Sequence, residues 1–175
     1  SKEGRYAFVS NYGGRRARKG DKTEKPAGTD IAVDARTRPL TGTVSDAQGR
    51  ALRGASVDIW QCDHAGRYRH PRDGNRIDAA FQGFGRVQTD AQGGYGFRTI
   101  RPAAYSGRTP HIHVKVRIAQ RTLLTTQLYV EGDPGNERDP LWRNLRDPAD
   151  RAALTVPFRP GADGLRAQFT IVVAT

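Results

Sequence analysis

From Leu40 onward the sequence consists of short runs of alternating apolar and polar residues, separated by turn residues. Alternation with a period of two is typical of half-buried β-strands, and many short strands between turns indicate a β-sandwich or barrel. The runs lie at 40–45, 55–62, 84–89, 95–100, 111–119, 122–130 and 165–173. Asp46–Gly49 and Asp90–Gly93 both read Asp-Ala-Gln-Gly, which predicts two tight hairpin turns. We therefore expect an all-β fold, an antiparallel β-sandwich core with long loops over it.

The segments outside these runs predict little regular structure. Asp147-Pro148 offers an N-cap followed by proline at the first helical position, so one short helix is expected there. Residues 1–38 lack sustained periodicity and contain the basic cluster Arg15–Lys19. The sequence thus predicts an extended basic N-terminal arm over 1–38 and a β-sandwich domain over 39–175.

Composition limits the partners of the chain. The net charge of +11 suits anionic small molecules, whereas no recognition helix or stacking-aromatic pattern supports nucleic-acid binding. No apolar run approaches the ~20 residues that span a bilayer, so no membrane partner is expected. Cys62, the only cysteine, excludes an internal disulfide. The chain starts at Ser1 and lacks Met, which favours a processed, exported protein over a cytoplasmic one. Homo-oligomerisation stays open.

Strand parity predicts a polar site on the outside of the sandwich. Successive side chains of a strand point to opposite faces. In the run 111–118, Ile112 and its apolar neighbours face the core, and His111 and His113 face outward. Trp60 and Gln127 lie off the apolar face of their own runs. If these runs share a sheet, a site forms on its outer surface, roofed by the loops 63–83 and 101–110.

Two kinds of metal ligand are available to such a site. His111 and His113 stand roughly 6–7 Å apart along one strand face, a spacing suited to chelation. No histidine follows His113, so a site with three imidazoles needs His64 or His70. A facial triad with a carboxylate and a zinc site with one of these histidines both stay open.

Tyrosine is the second kind of ligand. A phenol is normally neutral, but a bound trivalent cation such as iron(III) strongly favours its deprotonated form. Iron(III) is hard and prefers anionic oxygen donors, and two tyrosinates with one hydroxide would offset its charge. Tyr68 and Tyr105 both lie in loop-like stretches.

Taken together, the motifs resemble a known family. They occur in this order: Trp60-Gln61, Gly66-Arg67-Tyr68, Gly85-Arg86, Thr89-Asp90, Tyr95 to Pro102, Tyr105, His111-Ile112-His113 and Thr126-Gln127-Leu128-Tyr129. This series is similar to the intradiol ring-cleavage dioxygenases, and most of all to the catalytic subunit of protocatechuate 3,4-dioxygenase. The resemblance runs from about Leu40 to Asp133 and continues more weakly to the end.

The resemblance implies a non-haem iron(III) enzyme. Family members open a catechol-type ring between its two hydroxyl-bearing carbons with O2 and give a muconate-type diacid. Their iron is held by two tyrosinates and two histidines, which fall here on Tyr68, Tyr105, His111 and His113. The resemblance also makes Tyr105 the axial tyrosinate that leaves when the substrate chelates.

Three further residues match positions around the substrate. Arg108 matches the family arginine that stabilises the electron-rich, ketonised form of the bound catecholate. Trp60 and Gln127 match positions beside the substrate ring and the oxygen pocket. The catalytic residues implied are thus Arg108, Tyr105 and Gln127, and the substrate-binding residues are Trp60, Arg108 and Gln127.

The chain differs from protocatechuate enzymes in three ways. Its loop 106–110 is short and lacks a family tryptophan. It contains no second subunit, and its N-terminal arm matches no segment of those enzymes. These departures bear on recognition of the substrate carboxylate, although the positive charge favours a protocatechuate-like substrate.

Two alternatives remain. One is a metal-free transthyretin-like binding module, since such folds share the pattern from Thr43 to Ala55. The other is a zinc hydrolase built on the histidine pair.

Overall fold

The alternating runs form two β-sheets that pack face to face, which confirms the predicted all-β sandwich. The computed structural model describes residues 6–8, 38–68, 78, 80–162 and 164–174. In that part of the chain the strands are β1 (Tyr6–Phe8), β2 (Arg38–Asp46), β3 (Ser56–Trp60), β4 (Phe84–Gln88), β5 (Gly94–Thr99), β6 (His111–Ile118), β7 (Arg121–Val130), β8 (Thr155–Val156), β9 (Arg159–Gly161), β10 (Gly164–Gln168) and β11 (Ile171–Val173).

The first sheet has the strand order β1-β5-β2-β10-β9, and β11 also pairs with β2. Strands β2 and β5 are antiparallel, whereas β10 and β11 run parallel to β2, and β1 runs parallel to β5. The second sheet likewise ends in a parallel pair, β7 with β8. The predicted antiparallel core is confirmed in β2 with β5 and in β3 with β4 and β6 and β6 with β7, and parallel pairs with β1, β8, β10 and β11 are added around it.

The second sheet has the order β4-β3-β6-β7-β8, and its three central strands are antiparallel neighbours. Its register places Trp60 of β3 opposite His113 of β6, and His113 opposite Gln127 of β7. Side chains directly opposite on one face of a sheet stand about 5 Å apart. The sheet therefore lines up three predicted site residues in one row across its outer face.

The inner faces of both sheets supply the hydrophobic core. The buried residues that fill it come from β2, β3, β5, β6, β7 and the C-terminal strands, and include Leu40, Val44, Val57, Ile59, Phe97, Ile112, Val114, Val116, Leu128 and Ile171. Cys62 is also buried, as a free thiol. Along β6 the core residues alternate with the outward-facing His111 and His113, so burial of the core fixes which face carries the histidines.

The C-terminal strand is broken, although the alternation predicts one strand over 165–173. Its two halves, β10 and β11, pair with different ends of β2, and Phe169 lies between them. The Phe169 carbonyl approaches Gly42 so closely that a Cβ atom there would overlap it, and the same carbonyl accepts a hydrogen bond from the Tyr95 phenol at 2.5 Å. The break therefore belongs to a built contact that strand alternation cannot indicate.

The two Asp-Ala-Gln-Gly segments are tight turns, and only the first makes a hairpin. In each turn the aspartate carboxylate accepts hydrogen bonds from two backbone amides, those of Gln48 and Arg50 or of Gln92 and Gly94. The first turn is closed by a bridge between Ser45 and Ala51. The second joins β4 in one sheet to β5 in the other, which corrects the prediction of a second hairpin.

Two short α-helices and a 3-10 turn lie in the long connection after β7, where the sequence predicts one helix. Helix α2 (Pro148–Leu154) has the predicted Asp147 N-cap. Helix α1 (Pro140–Asn144) has the same signature, with Asp139 as N-cap and proline at the first position, and it follows the 3-10 turn Asn136–Arg138. Neither helix in the described segments has the length and apolar character needed to cross a bilayer.

The predicted arm lies largely outside the described residues, and so does its basic cluster Arg15–Lys19. Within 1–38 the structure describes β1, which adds to the edge of the first sheet, and the backbone of Arg38, where β2 begins. The predicted boundary between residues 38 and 39 thus falls inside β2.

Candidate active site

The candidate site lies on the outer face of the second sheet, at the ends of β3, β6 and β7. His111 and His113 lie at the start of β6, and Tyr68, from the loop after β3, lies beside them. Tyr105 and Arg108 come from the loop between β5 and β6. The structure therefore brings together side chains from three separate segments that the sequence singles out.

Three donor atoms converge on one point. The Nε2 atoms of His111 and His113 are 3.2 Å apart, and the Tyr68 Oη is 3.5 Å from the His111 Nε2. The His111 Nδ1 lies 2.7 Å from the Thr109 carbonyl oxygen. Because a carbonyl only accepts, Nδ1 carries the proton and Nε2 presents its lone pair to this point.

Burial keeps both imidazoles neutral. It lowers the pKa of His113 to about 4, assisted by the nearby His111 and by the positive charge of Arg108. It also lowers the pKa of His111, although the Thr109 carbonyl opposes this effect. Neutral imidazole is the form that ligates metals, so at neutral pH the pair is ready to bind a cation without first losing protons.

The two tyrosines pack against each other at the same place. Their rings meet edge to face, with centroids 4.7 Å apart and planes at 89°. Burial raises the pKa of the Tyr68 phenol well above its ordinary value. The phenolate therefore needs a compensating positive charge at this position, and a cation held between Tyr68 and the histidines would supply it.

A tight turn carries Tyr105 and Arg108. Their backbone groups form two mutual hydrogen bonds, of 3.1 and 2.8 Å, across Ser106 and Gly107. Both central residues have positive φ, 46° for Ser106 and 79° for Gly107, as a type I′ turn requires. The turn sets Tyr105 and Arg108 side by side on neighbouring arms of one small hairpin.

Arg108 is held by side chains from two other elements. Its Nε donates to the Asp139 carboxylate at 2.7 Å, and a terminal guanidinium nitrogen donates to the side-chain oxygen Oε1 of Gln127 at 3.1 Å. Gln127 in turn donates to the Tyr129 phenol at 2.7 Å, and the Tyr129 ring packs on Trp142 of α1. A continuous network thus runs from α1 to the edge of the candidate site.

Trp60 stacks flat on His113, with ring centroids 4.8 Å apart and planes within 5°. The stack fixes the plane of the imidazole and leaves the Trp60 ring partly exposed beside the donor atoms. An aromatic surface next to the point of convergence suits a planar ligand.

The donor set fits an iron(III) ion better than a zinc ion. In the described part of the chain, no group of three or more His, Cys, Asp or Glu side chains is placed to hold a metal. His64 lies beside Asp78 at 3.2 Å, and His70 lies outside the described residues. The oxygen donor beside the histidine pair is the Tyr68 phenol, with the Tyr105 ring packed against the Tyr68 ring, and anionic phenolate oxygen suits a hard trivalent ion.

Asp139 and Tyr129 belong to the network but are not among the residues predicted from sequence. Asp139 is fully buried, and it is followed by Pro140 in the same capping pattern that Asp147 and Pro148 show. That repeated pattern is the signal by which α1, and hence its cap, could have been found. Tyr129 lies on the same face of β7 as Gln127, but only tertiary contacts reveal their hydrogen bond.

A cavity of about 420 Å³ adjoins the turn that carries Tyr105 and Arg108. The segment 133–138 forms its opposite wall, with the side chains of Asp133 and Arg138. Of the predicted site residues, Tyr105 and Arg108 line this cavity, so it borders the candidate site on the side of their turn.

Comparison with known proteins shows the family of this chain. The model of the family described as dioxygenase matches residues 8–173. The protocatechuate 3,4-dioxygenase beta chain of Burkholderia cepacia is 36% identical over 73% of this chain and 56% of that protein. The hydroxyquinol 1,2-dioxygenase of Corynebacterium glutamicum is 31% identical over 65% of this chain and 43% of that protein. The chain spans about half the length of these curated relatives.

Solved structures give the same result. The dioxygenase domain of a dioxygenase carbohydrate-binding protein fusion from Streptomyces sp. SirexAA-E is 34% identical, with a TM-score of 0.65 over 83% of this chain and 84% of that chain. An intradiol ring-cleavage dioxygenase from Tetranychus urticae, at 21% identity and a TM-score of 0.67 over 79% of this chain and 81% of that chain, shares the fold. The chain belongs to the dioxygenase family, as one of the intradiol ring-cleavage dioxygenases.

Proposed function

We propose that this protein is a non-haem iron(III) dioxygenase that opens a catechol-type ring between its two hydroxyl-bearing carbons. Both atoms of O2 enter the product, so a dihydroxybenzene becomes a muconate-type dicarboxylic acid with no other co-reactant. The observation that carries the proposal is the convergence of the His111 Nε2, the His113 Nε2 and the Tyr68 Oη. Family membership supports the same reaction class.

Tyr68, Tyr105, His111 and His113 would hold the iron. When bound, the ion supplies a Lewis-acid centre that chelates the catecholate and lets its ring react with dioxygen. The two histidines provide neutral nitrogen donors, and the half-buried phenols of Tyr68 and Tyr105 provide anionic oxygen donors. Tyr105, on its exposed turn, is the better placed tyrosine to leave and accept a substrate proton, whereas Tyr68 is fixed beside the histidines.

Arg108 would act on the reacting ring. Its guanidinium is held from two sides, by Asp139 and Gln127, and its side chain is only 22% exposed. A fixed positive charge stabilises oxyanion character as it develops, and does so more strongly where water is excluded. Gln127 keeps the guanidinium turned toward the row of Trp60 and His113, and Trp60 offers its face to the ring.

The direct test is oxygen consumption by the iron-loaded protein with protocatechuate, catechol and hydroxyquinol. Uptake of one O2 per substrate should yield a ring-opened diacid that carries two heavy oxygen atoms when ¹⁸O2 is supplied. A product with an aldehyde group, from cleavage beside the hydroxyls, would contradict the proposal, and so would a lack of uptake with all three substrates.

Within this reaction class we expect a substrate that carries a carboxylate, as protocatechuate does. The 36% identical relative is named a protocatechuate 3,4-dioxygenase, and Arg138 joins Arg108 in the cavity beside Tyr105. Replacing Arg138 with Gln should raise the KM for protocatechuate several-fold and leave the KM for catechol unchanged. Arg143→Gln on α1, outside that cavity, is the matched control. An equal effect of Arg138→Gln on both substrates would contradict the preference.

The metal-free binding module gains no support from the described residues. A module that only binds has no need for two neutral imidazoles and a half-buried phenol directed at one point. It predicts a protein that takes up no iron and remains colourless, an outcome that the spectra described below would reveal.

A further inference from the structure

We infer that Asp139 is a positioning residue for the ring-cleavage reaction, holding Arg108 at the angle at which its charge acts on the substrate. The inference rests on the proposed function for its effect on turnover. Asp139 lies 31 positions after Arg108 in the chain, is the N-cap of helix α1, and makes no hydrogen bond to any of the four proposed iron ligands.

The Asp139 carboxylate makes four hydrogen bonds. Oδ2 accepts from the Arg108 Nε at 2.7 Å and from the Thr109 backbone amide at 3.0 Å. Oδ1 accepts from the backbone amides of Leu141 and Trp142 at 2.9 and 3.1 Å. One oxygen thus caps helix α1 and the other holds the segment that leads into β6.

Capping alone does not explain this arrangement. A carboxylate buried completely must be compensated, and a helix cap needs only one of its two oxygens. Asp147 caps α2 in the ordinary way, with a single bond of 2.8 Å to the Ala149 amide and in an exposed position. The second oxygen of Asp139, which the cap does not need, accepts hydrogen bonds from Arg108 and Thr109 instead. We therefore assign Asp139 the role of holding these two residues.

The consequence for the site follows from the two bonds of that oxygen. The other side-chain partners of the Arg108 guanidinium, Gln127 at 3.1 Å and the Tyr129 phenol, both lie on β7. Without Asp139 the Arg108 Nε loses its carboxylate partner, and the guanidinium could rotate about its last bonds. The Thr109 carbonyl orients His111, and the Thr109 amide is fixed by Asp139. A single buried carboxylate therefore sets the geometry of the arginine and supports the strand end that carries the histidines.

Two substitutions separate positioning from capping. Asp139→Ser keeps a good N-cap, but its side chain is too short to reach Arg108. Asp139→Asn keeps the shape and offers one acceptor to the helix, but its amide group cannot accept from Arg108 and Thr109 as a carboxylate does. Asp147→Asn and Asp147→Ser make the same changes at the cap of α2, far from Arg108, and serve as matched controls.

We expect both Asp139 variants to lower kcat by about 10- to 100-fold with little change in KM, because small misplacements of a catalytic group cost up to ~100-fold. Iron content should remain that of the wild type, and both Asp147 variants should keep wild-type kcat. In an Arg108→Ala background, Asp139→Ser should cause a much smaller loss of kcat than it does in the wild type, limited to what the Thr109 contact contributes. Equal losses at Asp139 and Asp147, or an undiminished loss in the Arg108→Ala background, would overturn the inference.

A measurement that needs no turnover separates this inference from the proposed function. In ¹H–¹⁵N spectra, the Arg108 Nε–H resonance, identified by its loss in Arg108→Lys, should exchange slowly in the wild type and rapidly in Asp139→Ser. Slow exchange that survives Asp139→Ser would overturn the positioning role even in an active enzyme. Wild-type protein that shows this dependence but cleaves no catechol would instead overturn the proposed function alone.

Discussion

The Arg108 guanidinium is fixed beside the proposed iron ligands by Asp139 and Gln127. Replacing Arg108 with alanine should lower kcat by about 100- to 1,000-fold, as removal of one fixed donor to a developing oxyanion does. Iron content and the tyrosinate colour should persist, because Arg108 donates to Asp139 and Gln127 and not to the donor atoms. Parallel measurements of kcat and bound iron test this, and an equal loss of both would assign Arg108 to metal retention.

Tyr68 is predicted to give the protein its colour. Tyr68→Phe should remove one phenolate donor, weaken iron binding and reduce the visible absorption per protein. Tyr95→Phe is the matched control, since Tyr95 is a buried core phenol bonded to the Phe169 carbonyl. It should leave the colour intact and cost about 1–3 kcal/mol of unfolding free energy, through the unpaired carbonyl. Loss of colour in the control, or full colour in Tyr68→Phe, would contradict the assignment.

At the residue scale, the sequence predicts the side chains that gather but not the side chain that holds them. Strand parity places His111, His113, Trp60 and Gln127 on one face, as the register shows. Strand parity cannot identify Asp139, which lies at a helix cap and not on a strand. Its hydrogen bond to Arg108, 31 residues away, depends on how helix α1 packs against the loop that carries Arg108. The motif Thr89-Asp90 has a structural role, since Thr89 Oγ1 bonds the backbone of Leu52 and Ala55.

At the scale of elements, the two tyrosine-bearing loops meet at Gly66. It has φ of 71°, and a Cβ atom there would overlap the Ala104 carbonyl oxygen, next to Tyr105. Gly54 has nearly the same φ, 72°, but faces open space. Substitution of Gly54 therefore tests backbone strain alone, whereas substitution of Gly66 tests the same strain together with a steric clash between the loops.

We expect Gly54→Ala to cost about 1 kcal/mol of unfolding free energy, from the backbone strain alone. Gly66→Ala should cost about 1–3 kcal/mol more, from overpacking, and should lower iron affinity because it pushes Tyr68 and Tyr105 apart. Denaturant unfolding of the apoproteins and iron titration measure these effects. Equal stability and equal iron affinity of the two variants would show that the loop contact does not matter.

Elements with a regular alternation are predictable from the sequence, whereas those set by contacts between elements are not. The runs that become β2 to β7 are found to within a few residues. The break at Phe169 depends on Gly42 and Tyr95, which are distant in the chain. Strands β8 and β9 are too short, at two and three residues, to show any periodicity.

At the scale of the whole molecule, the sandwich separates stability from chemistry. The core occupies the inner faces of both sheets, and the candidate site occupies the outer face of one. Which strands become neighbours could not be derived from alternation, so the row from Trp60 to Gln127 is a property of the assembled sheet. The expectation that these strands share a sheet is nevertheless confirmed.

Acid unfolding should report the buried carboxylate of Asp139. Burial by itself raises the pKa of this group, but hydrogen bonds from Arg108 and from the backbone amides of Trp142 and Thr109 outweigh it and lower the pKa. A lowered pKa contributes stability above the unfolded value of about 3.9, and the contribution is lost as pH falls through the folded value.

The difference in unfolding free energy between wild type and Asp139→Asn should therefore be constant above about pH 5 and shrink below about pH 4. Denaturant unfolding of the apoproteins over this range tests the prediction. A difference that stays the same down to the acid limit of folding would mean that Asp139 is not ionised with a lowered pKa.

The central claim is that two tyrosinates and two histidines hold iron(III) on the outer face of the sandwich. The most direct measurement is the visible spectrum of the iron-loaded protein, with iron confirmed by elemental analysis, before and after protocatechuate is added under nitrogen. We predict a broad tyrosinate-to-iron charge-transfer band and a burgundy colour that shifts to longer wavelength as the substrate chelates. A colourless protein with bound iron would contradict the tyrosinate ligands, and a spectrum unchanged by any catechol would contradict chelation of the substrate.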